Sequence, residues 1–284
     1  MKAGQDVLGV SKMLTRIISG VIGGIFALTV LFFNQNLYWL MNLVIGVISV
    51  LAISEIFNVL GISKNFLIVI PTIIFTPILP LFGFNIYWEA VFYLYTLITF
   101  SSMVWYKQVK LKEICVVYSM AILISFSLFK IVDLRNYGGN YGSFYVFLAL
   151  AISWMTDTGA YFFGKMFGKS KLCPEISPKK TKEGFIGGIV FCLLCVTLIA
   201  FMFNNFIFPQ KKHINYAVII TMSLFGSLIS SLGDLCFSAF KRKCGVKDFG
   251  NIMPGHGGVL DRFDSVIFVV PYVYLFLKFI PVMY

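Results

Sequence analysis

Apolar runs of about 20 residues recur along the chain, separated by short polar stretches. They show neither the alternation of a half-buried strand nor the one-sided stripe of a soluble helix. Each run is long enough to cross a hydrocarbon core about 30 Å thick. The pattern predicts nine spans, at about 17–33, 37–60, 66–83, 87–105, 114–132, 143–164, 185–208, 214–237 and 263–282. A backbone inside a bilayer must satisfy its own hydrogen bonds, so these runs are expected to be helices. The expected fold is an all-α polytopic integral membrane protein with a single membrane domain, residues 1–284. Within it, residues 1–135 are expected to serve as N-terminal scaffold spans and residues 143–284 to carry the catalytic spans and loops. Lys12 and Arg16 precede the first run as they would in a signal peptide. No small-residue cleavage site follows, and the next span begins almost at once, so the first run is expected to be a retained helix.

Composition sharpens this picture. Hydrophobic residues make up 59% of the 284 positions and charged residues only 12%, about half the usual share for a soluble domain. The formal net charge is +11. In so apolar a chain this excess fits positive flanks around spans and anionic ligands, and no nucleic-acid partner is expected. Of the 23 Lys and Arg, 18 fall on the side that holds the N-terminus and the connections after spans 2, 4, 6 and 8. The positive-inside rule places that side in the cytoplasm and the C-terminus opposite. The two long charged connections, 165–184 and 238–262, share the cytoplasmic side, as a common active site requires. Six cysteines form no spaced framework; Cys192 and Cys195 lie inside an apolar run and fit buried small side chains better than zinc or redox chemistry.

Apart from Asp264 at the very start of the last span, four acidic residues fall inside expected spans: Glu55, Glu89, Asp157 and Asp234. An ionisable group at mid-bilayer costs about 2.5–3.5 kcal/mol on insertion scales, so each needs a compensating role. Glu89 is close to a helix end, where interfacial solvation accounts for it. Glu55 has no motif around it, and a structural hydrogen bond is favoured over a functional role. Asp157 lies in WMTDTGAYFFGKMFGK, where Thr156, Thr158, Gly159 and Ala160 allow close helix approach. Asp234 precedes Lys241 by seven residues, nearly two helical turns, which puts both on about the same face.

The densest chemistry lies in FSAFKRKCGVKDFGNIMPGHGGVLDRFDS, residues 237–265. Lys241, Arg242, Lys243, Lys247 and Arg262 offer cationic donors within one expected loop; Arg forks match phosphate oxygens and Lys supplies point charge. Lys243 is adequately explained as a solvated flank. The PGHGG stretch makes a tight turn in which backbone N–H groups can approach a ligand. His256 in that turn is equally suited to act on a phosphate oxygen or a water and to make a structural hydrogen bond. Asp261 and Asp264, together with Asp234, suit a hard divalent cation such as Mg²⁺. A salt-bridged helix start is the alternative for DRFD. Taken alone, these residues point to metal-assisted phosphoryl or nucleotidyl transfer at the cytoplasmic face.

Residues 238–264 resemble the signature of the phosphatidate cytidylyltransferase (CDP-diacylglycerol synthase) family. Its fixed positions are met by Ser238, Lys241, Arg242, Lys247, Asp248, His256, Gly257, Gly258, Asp261, Arg262 and Asp264. Met253 stands where Leu, Ile or Phe is usual, a swap that keeps volume and apolarity. Residues 157–188 resemble the family's preceding block. The resemblance implies transfer of a cytidylyl group from CTP to phosphatidate in the bilayer, giving CDP-diacylglycerol and pyrophosphate. It further implies Mg²⁺, with a monovalent cation such as K⁺, and a homodimer. Separately, a bacterial inner membrane is the first expected location and an organelle membrane the second. Asp234 and Asp261 would hold metal; Lys241, Arg242, Lys247 and Arg262 would bind phosphates; Ser238 and His256 would complete the polar lining. Asp248 and Asp264 belong to the same catalytic set. Gly257, Gly258, Asp157, Lys179, Lys180 and Thr181 would contact substrate, though a solvated loop serves equally for any one lysine of 177–184. The rivals are another CTP-dependent lipid phosphotransferase or kinase and an ion-coupled transporter. A transporter predicts midplane charges on broken helices in two repeated halves. This chain shows no such repeat.

Overall fold

A computed structural model describes residues 38–105, 110–207, 213–252 and 257–283. The expected span at 17–33 lies outside the described residues, as do Met253 and His256. In chain order the helices are α1 (Tyr38–Leu60), α2 (Phe66–Phe82), α3 (Ile86–Trp105), α4 (Leu111–Tyr137) and α5 (Gly142–Phe167). A hairpin of β1 (Lys171–Cys173) and β2 (Ser177–Thr181) follows. Then come α6 (Lys182–Met202), α7 (Tyr216–Lys243), the single-turn α8 (Leu260–Phe263) and α9 (Val266–Phe279). Every expected apolar run among the described residues is a helix. Among the described residues, five segments are long and apolar enough to cross a membrane: Trp39–Leu60, Leu111–Tyr137, Gly139–Phe167, Lys182–Ile207 and Tyr216–Lys243. The protein is a helical integral membrane protein.

The chain gathers into two compact units, Met1–Val132 with Val246–Phe263, and Asp133–Gly245 with Asp264–Tyr284. In the first, α2 packs against both α1 and α3. Helix α2 continues through Pro71, Pro77 and Pro80, each of which removes a backbone donor. Thr72 and Thr76 lie buried beside these interruptions, their hydroxyls donating back to the carbonyls of Ile68 and Thr72 at 2.6 Å. Polar side chains in an apolar span thereby find partners within their own helix. The Tyr95 ring stacks on Phe75 and Tyr118, with centroids 4.3 and 5.5 Å away, tying α2, α3 and α4 together. Glu89 is exposed in the first turn of α3, as expected for an interfacial carboxylate.

The second unit is built around the α5–α6 pair, with α7 and α9 packed on it. Small residues let the two helix backbones nearly touch. A Cβ at Gly184 of α6 would stand 2.6 Å from the Ala160 carbonyl oxygen, and one at Gly188 would stand 2.8 Å from that of Thr156. This is the close approach expected around Asp157. Thr181 caps α6, its hydroxyl accepting from Gly184 N at 3.1 Å.

Two features of this unit correct the sequence expectations. The connection 165–184 is not open loop: α5 runs to Phe167, and an antiparallel hairpin pairs Lys171 with Thr181 and Cys173 with Ser177. Its strands are short and irregular in register, so they carry no periodic signal. Lys241, Arg242 and Lys243 are likewise not loop residues but the last turn of α7. No helix breaker intervenes before Gly245, whose φ of +73° ends the run, and cations are favoured at a helix C-terminus.

Candidate active site

Three aspartates from different elements of the second unit interact electrostatically. Asp157 projects from the middle of α5, Asp234 from α7, and Asp264 from the two-residue turn between α8 and α9. Helical spacing fixes the first two, while Asp264 is set by the bend that separates α8 from α9. Asp264 is buried, and its carboxylate accepts from Ser265 N at 2.8 Å. Burial, and then the carboxylates of Asp234 and Asp157, push the Asp264 carboxyl up to about 8; Lys241 and the Ser265 N–H pull the other way.

Each remaining carboxylate has its own polar neighbours. Asp234 Oδ2 is 2.6 Å from Lys180 Nζ of β2, and its Oδ1 accepts from Ser238 one turn further along α7. Asp157 Oδ2 accepts from Ser265 Oγ at 3.0 Å, and Ser265 Oγ accepts from Ser153 Oγ at 2.6 Å. Both serines are essentially fully buried. A chain of hydroxyls therefore leads from the core of α5 to the Asp157 carboxylate and fixes its direction.

The hairpin supplies the opposite charge. Asp157, Lys165, Lys179, Lys180, Ser231 and Asp234 line a cavity of about 360 Å³, whose apolar wall includes Tyr161 and Phe185. That volume is within the usual range for a small-molecule site. Glu183, in the first turn of α6, accepts from Lys169 N and Ser170 N and so anchors the base of the hairpin. Lys241 is buried beside the carboxylates, while Arg242 is exposed and donates from Nε to the Ile176 carbonyl at 3.3 Å.

The first unit holds the remainder of the signature. Asp261 Oδ2 accepts from Phe249 N and Gly258 N, both at 2.9 Å. The loop thus closes on its own carboxylate. Gly257 has a φ of +84°, a backbone state that favours glycine. Lys247, Asp248 and Arg262 are exposed. His256 lies outside the described residues.

Of the expected site residues, Ser238, Lys241, Asp157, Lys180, Asp234 and Asp264 share one polar cluster. Lys179 and Thr181 also line its cavity. Gly257, Gly258 and Asp261 form the loop in the other unit, so the two aspartates expected to hold metal, Asp234 and Asp261, belong to separate units. Among the described residues, no three His, Cys, Asp or Glu side chains by themselves form a metal cage. Sequence reasoning missed Ser153, Lys165, Glu183 and Ser265. Only Ser265 had a signal, as the residue that ends DRFDS before an apolar run.

Apolar helices that bring Asp157 and Asp234 together with Lys165, Lys179 and Lys180 around one cavity define a helical membrane protein with a charged candidate site. A family model described as "Cytidylyltransferase family" matches residues 14–280. The chain belongs to the cytidylyltransferase family. It is 48% identical over 157 residues to a phosphatidate cytidylyltransferase of Bacillus subtilis, covering 55% of each chain. It is 54% identical over 130 residues to a protein of that name from Staphylococcus aureus strain COL, covering 46% of this chain and 47% of the relative. Against the corresponding protein of Staphylococcus haemolyticus it is 48% identical over 130 residues. The chain thus spans about half the length of the curated relatives it matches.

Proposed function

We propose that this protein transfers a cytidylyl group from CTP to phosphatidate, giving CDP-diacylglycerol and pyrophosphate. The observation that carries this reading is the grouping of Asp157, Asp234 and Asp264 with Lys180 and Lys241 in one cluster. Family membership and relatives named phosphatidate cytidylyltransferase support it.

In this reading a phosphatidate oxygen attacks the α-phosphorus of CTP, and the bond from that phosphorus to the pyrophosphate oxygen breaks. The nucleophile is a phosphate monoester, already anionic at neutral pH, so no strong general base is required. Bringing two anions together is the harder task. Lys165, Lys179 and Lys180 offset that repulsion at the cavity wall, and buried Lys241 keeps positive charge beside the carboxylates. The Ser153–Ser265 chain keeps the Asp157 carboxylate aimed. Tyr161 and Phe185 give one wall of the cavity an apolar surface.

Asp157 and Asp234 present carboxylate oxygens to the cavity that Lys165, Lys179 and Lys180 also line. Mg²⁺ is characteristically held by one or two carboxylates, waters and substrate phosphates rather than by an all-protein cage, so this donor set fits it. Asp234, with Asp157, would hold it together with waters and substrate phosphates. When bound it would neutralise phosphate charge and polarise the phosphoryl oxygens. The resemblance extends the metal-holding role to Asp261, the phosphate-binding role to Arg242, Lys247 and Arg262, and the polar lining to His256. It also extends to K⁺ beside Mg²⁺ and to a homodimer. A bacterial inner membrane with the site facing the cytoplasm is supported by the bias of Lys and Arg to one side and by the bacterial relatives.

Purified protein in liposomes containing phosphatidate tests the proposal. With labelled CTP and Mg²⁺ it should form a labelled liponucleotide. A phosphorylated lipid in its place would make the protein a kinase, and ion flux without turnover would make it a transporter.

A further inference from the structure

Glu55 is a carboxylate in the apolar helix α1, far in sequence from the signature, and it is only 1% exposed. Both of its oxygens are used on the signature loop. Oε1 accepts from Val259 N and Oε2 from Leu260 N, each at 2.8 Å. With Gly258 N bonded to Asp261 Oδ2, three consecutive backbone N–H groups are taken up by two carboxylates. A fourth, from Phe249, returns to Asp261 and closes the loop.

The fit is reciprocal. A Cβ on Gly258 would stand 2.5 Å from both Glu55 oxygens, and one on Gly250 would stand 2.6 Å from Oε1. The loop can reach the carboxylate only because these two positions lack side chains. Hydrogen bonds to a charged acceptor are stronger than neutral ones, and their loss here would leave two buried donors without partners.

We propose that Glu55 is a positioning residue for the transferase: it braces residues 249–250 and 257–261 so that Gly257, Asp261 and Arg262 are presented in a fixed arrangement. This rests on the cytidylyltransferase reading for its catalytic consequence, but the brace itself stands on geometry alone. Glu55 touches no reacting atom and acts through the loop. Because a small displacement of positioned groups can cost about 10²-fold in rate, the effect should fall on kcat rather than on substrate affinity.

The test uses the full-length protein in phosphatidate-containing nanodiscs, with Glu55→Ala, Glu55→Gln, Gly258→Ala and the double variant Glu55→Ala/Gly258→Ala. Backbone hydrogen exchange and CTP-dependent liponucleotide formation are measured on each. For Glu55→Ala, faster exchange confined to peptides covering 257–263 is expected, with α1–α3 still protected. A tenfold or greater fall in kcat should accompany it, with KM for CTP within threefold; Glu55→Gln, which keeps one acceptor, should fall between. Gly258→Ala should lose activity alone, and the double variant should be no worse than the poorer single one, since removing the carboxylate makes room for the methyl group. Unchanged exchange at 257–263 in Glu55→Ala would overturn the brace. So would equal loosening throughout α1–α3, or losses that multiply in the double variant. Should the wild type form no liponucleotide, the functional reading fails, and the exchange results still decide on the brace.

Discussion

Lys180 Nζ lies 2.6 Å from Asp234 Oδ2, which joins the β hairpin to the polar end of α7. Each side chain is 24% exposed, so the pair stands at the mouth of the cavity. An isolated ion pair so placed contributes little stability, and its importance is the placement of charge.

Lys180→Met removes the cation and leaves the Asp234 carboxylate without it. The expected outcome is a fall in kcat/KM of roughly 10- to 100-fold, the scale typical of a lost positioning or charge-stabilising group. Lys180→Arg should recover only part, because a planar fork does not reproduce a point charge. Initial rates at several CTP concentrations check this; wild-type rates in Lys180→Met would remove the pair from the mechanism.

Ser265→Ala cuts the hydroxyl chain that leads from Ser153 to Asp157. The Ser153 donor is then left buried without its acceptor, and Asp157 loses its aiming bond. A loss of about 1–3 kcal/mol in stability is expected. Turnover should fall several-fold more than in Ser230→Ala, whose longer bond of 3.4 Å reaches only the Ser153 carbonyl. Thermal unfolding in detergent and steady-state rates measure the two effects separately.

Thr181→Ala removes the cap of α6, where the Thr181 hydroxyl accepts from Gly184 N. Loss of such a cap costs about 1 kcal/mol. A lowered Tm is expected, while Thr181→Ser should behave like wild type. Equal Tm values for all three proteins would show that the α6 terminus is held by other contacts.

Gly184→Ala tests the seam between α5 and α6. The added methyl would meet the Ala160 carbonyl oxygen at 2.6 Å and Gly164 Cα at 2.9 Å, both backbone atoms that cannot swing away. Overpacking of this kind costs about 1–3 kcal/mol. Reduced yield of folded protein and a lower Tm are expected, and an unaffected Tm would mean that the helices separate at little cost.

The helices were legible because an apolar run of about 20 residues has few alternatives in a bilayer, and each described run is a helix. Their ends were less legible. Helix α7 continues past its apolar stretch to Lys243, since charged side chains at a C-terminus are compatible with helix and the stop is Gly245. The hairpin at 171–181 gave no warning, because strands of three and five residues carry too little alternation. In the site, Asp157 and Asp234 stood out as charges in apolar surroundings. The identity of their partners did not: Lys180 meets Asp234 across elements, and Ser265 reaches Asp157 over 108 residues of sequence. Glu55 was visible as an anomaly, and a structural hydrogen bond was the favoured reading. That it bonds Val259 and Leu260, more than 200 residues away, only the fold could supply.

The central claim is that the nucleotidyl group, not the terminal phosphoryl group, passes to the lipid. Purified protein with phosphatidate and Mg²⁺ is supplied in parallel with CTP labelled at the α-phosphorus and CTP labelled at the γ-phosphorus. The account predicts that the α-label enters the lipid and the γ-label is released as pyrophosphate, and that Asp234→Asn abolishes both while still inserting into the membrane. Entry of the γ-label into lipid, with the α-label left in soluble nucleotide, would contradict it.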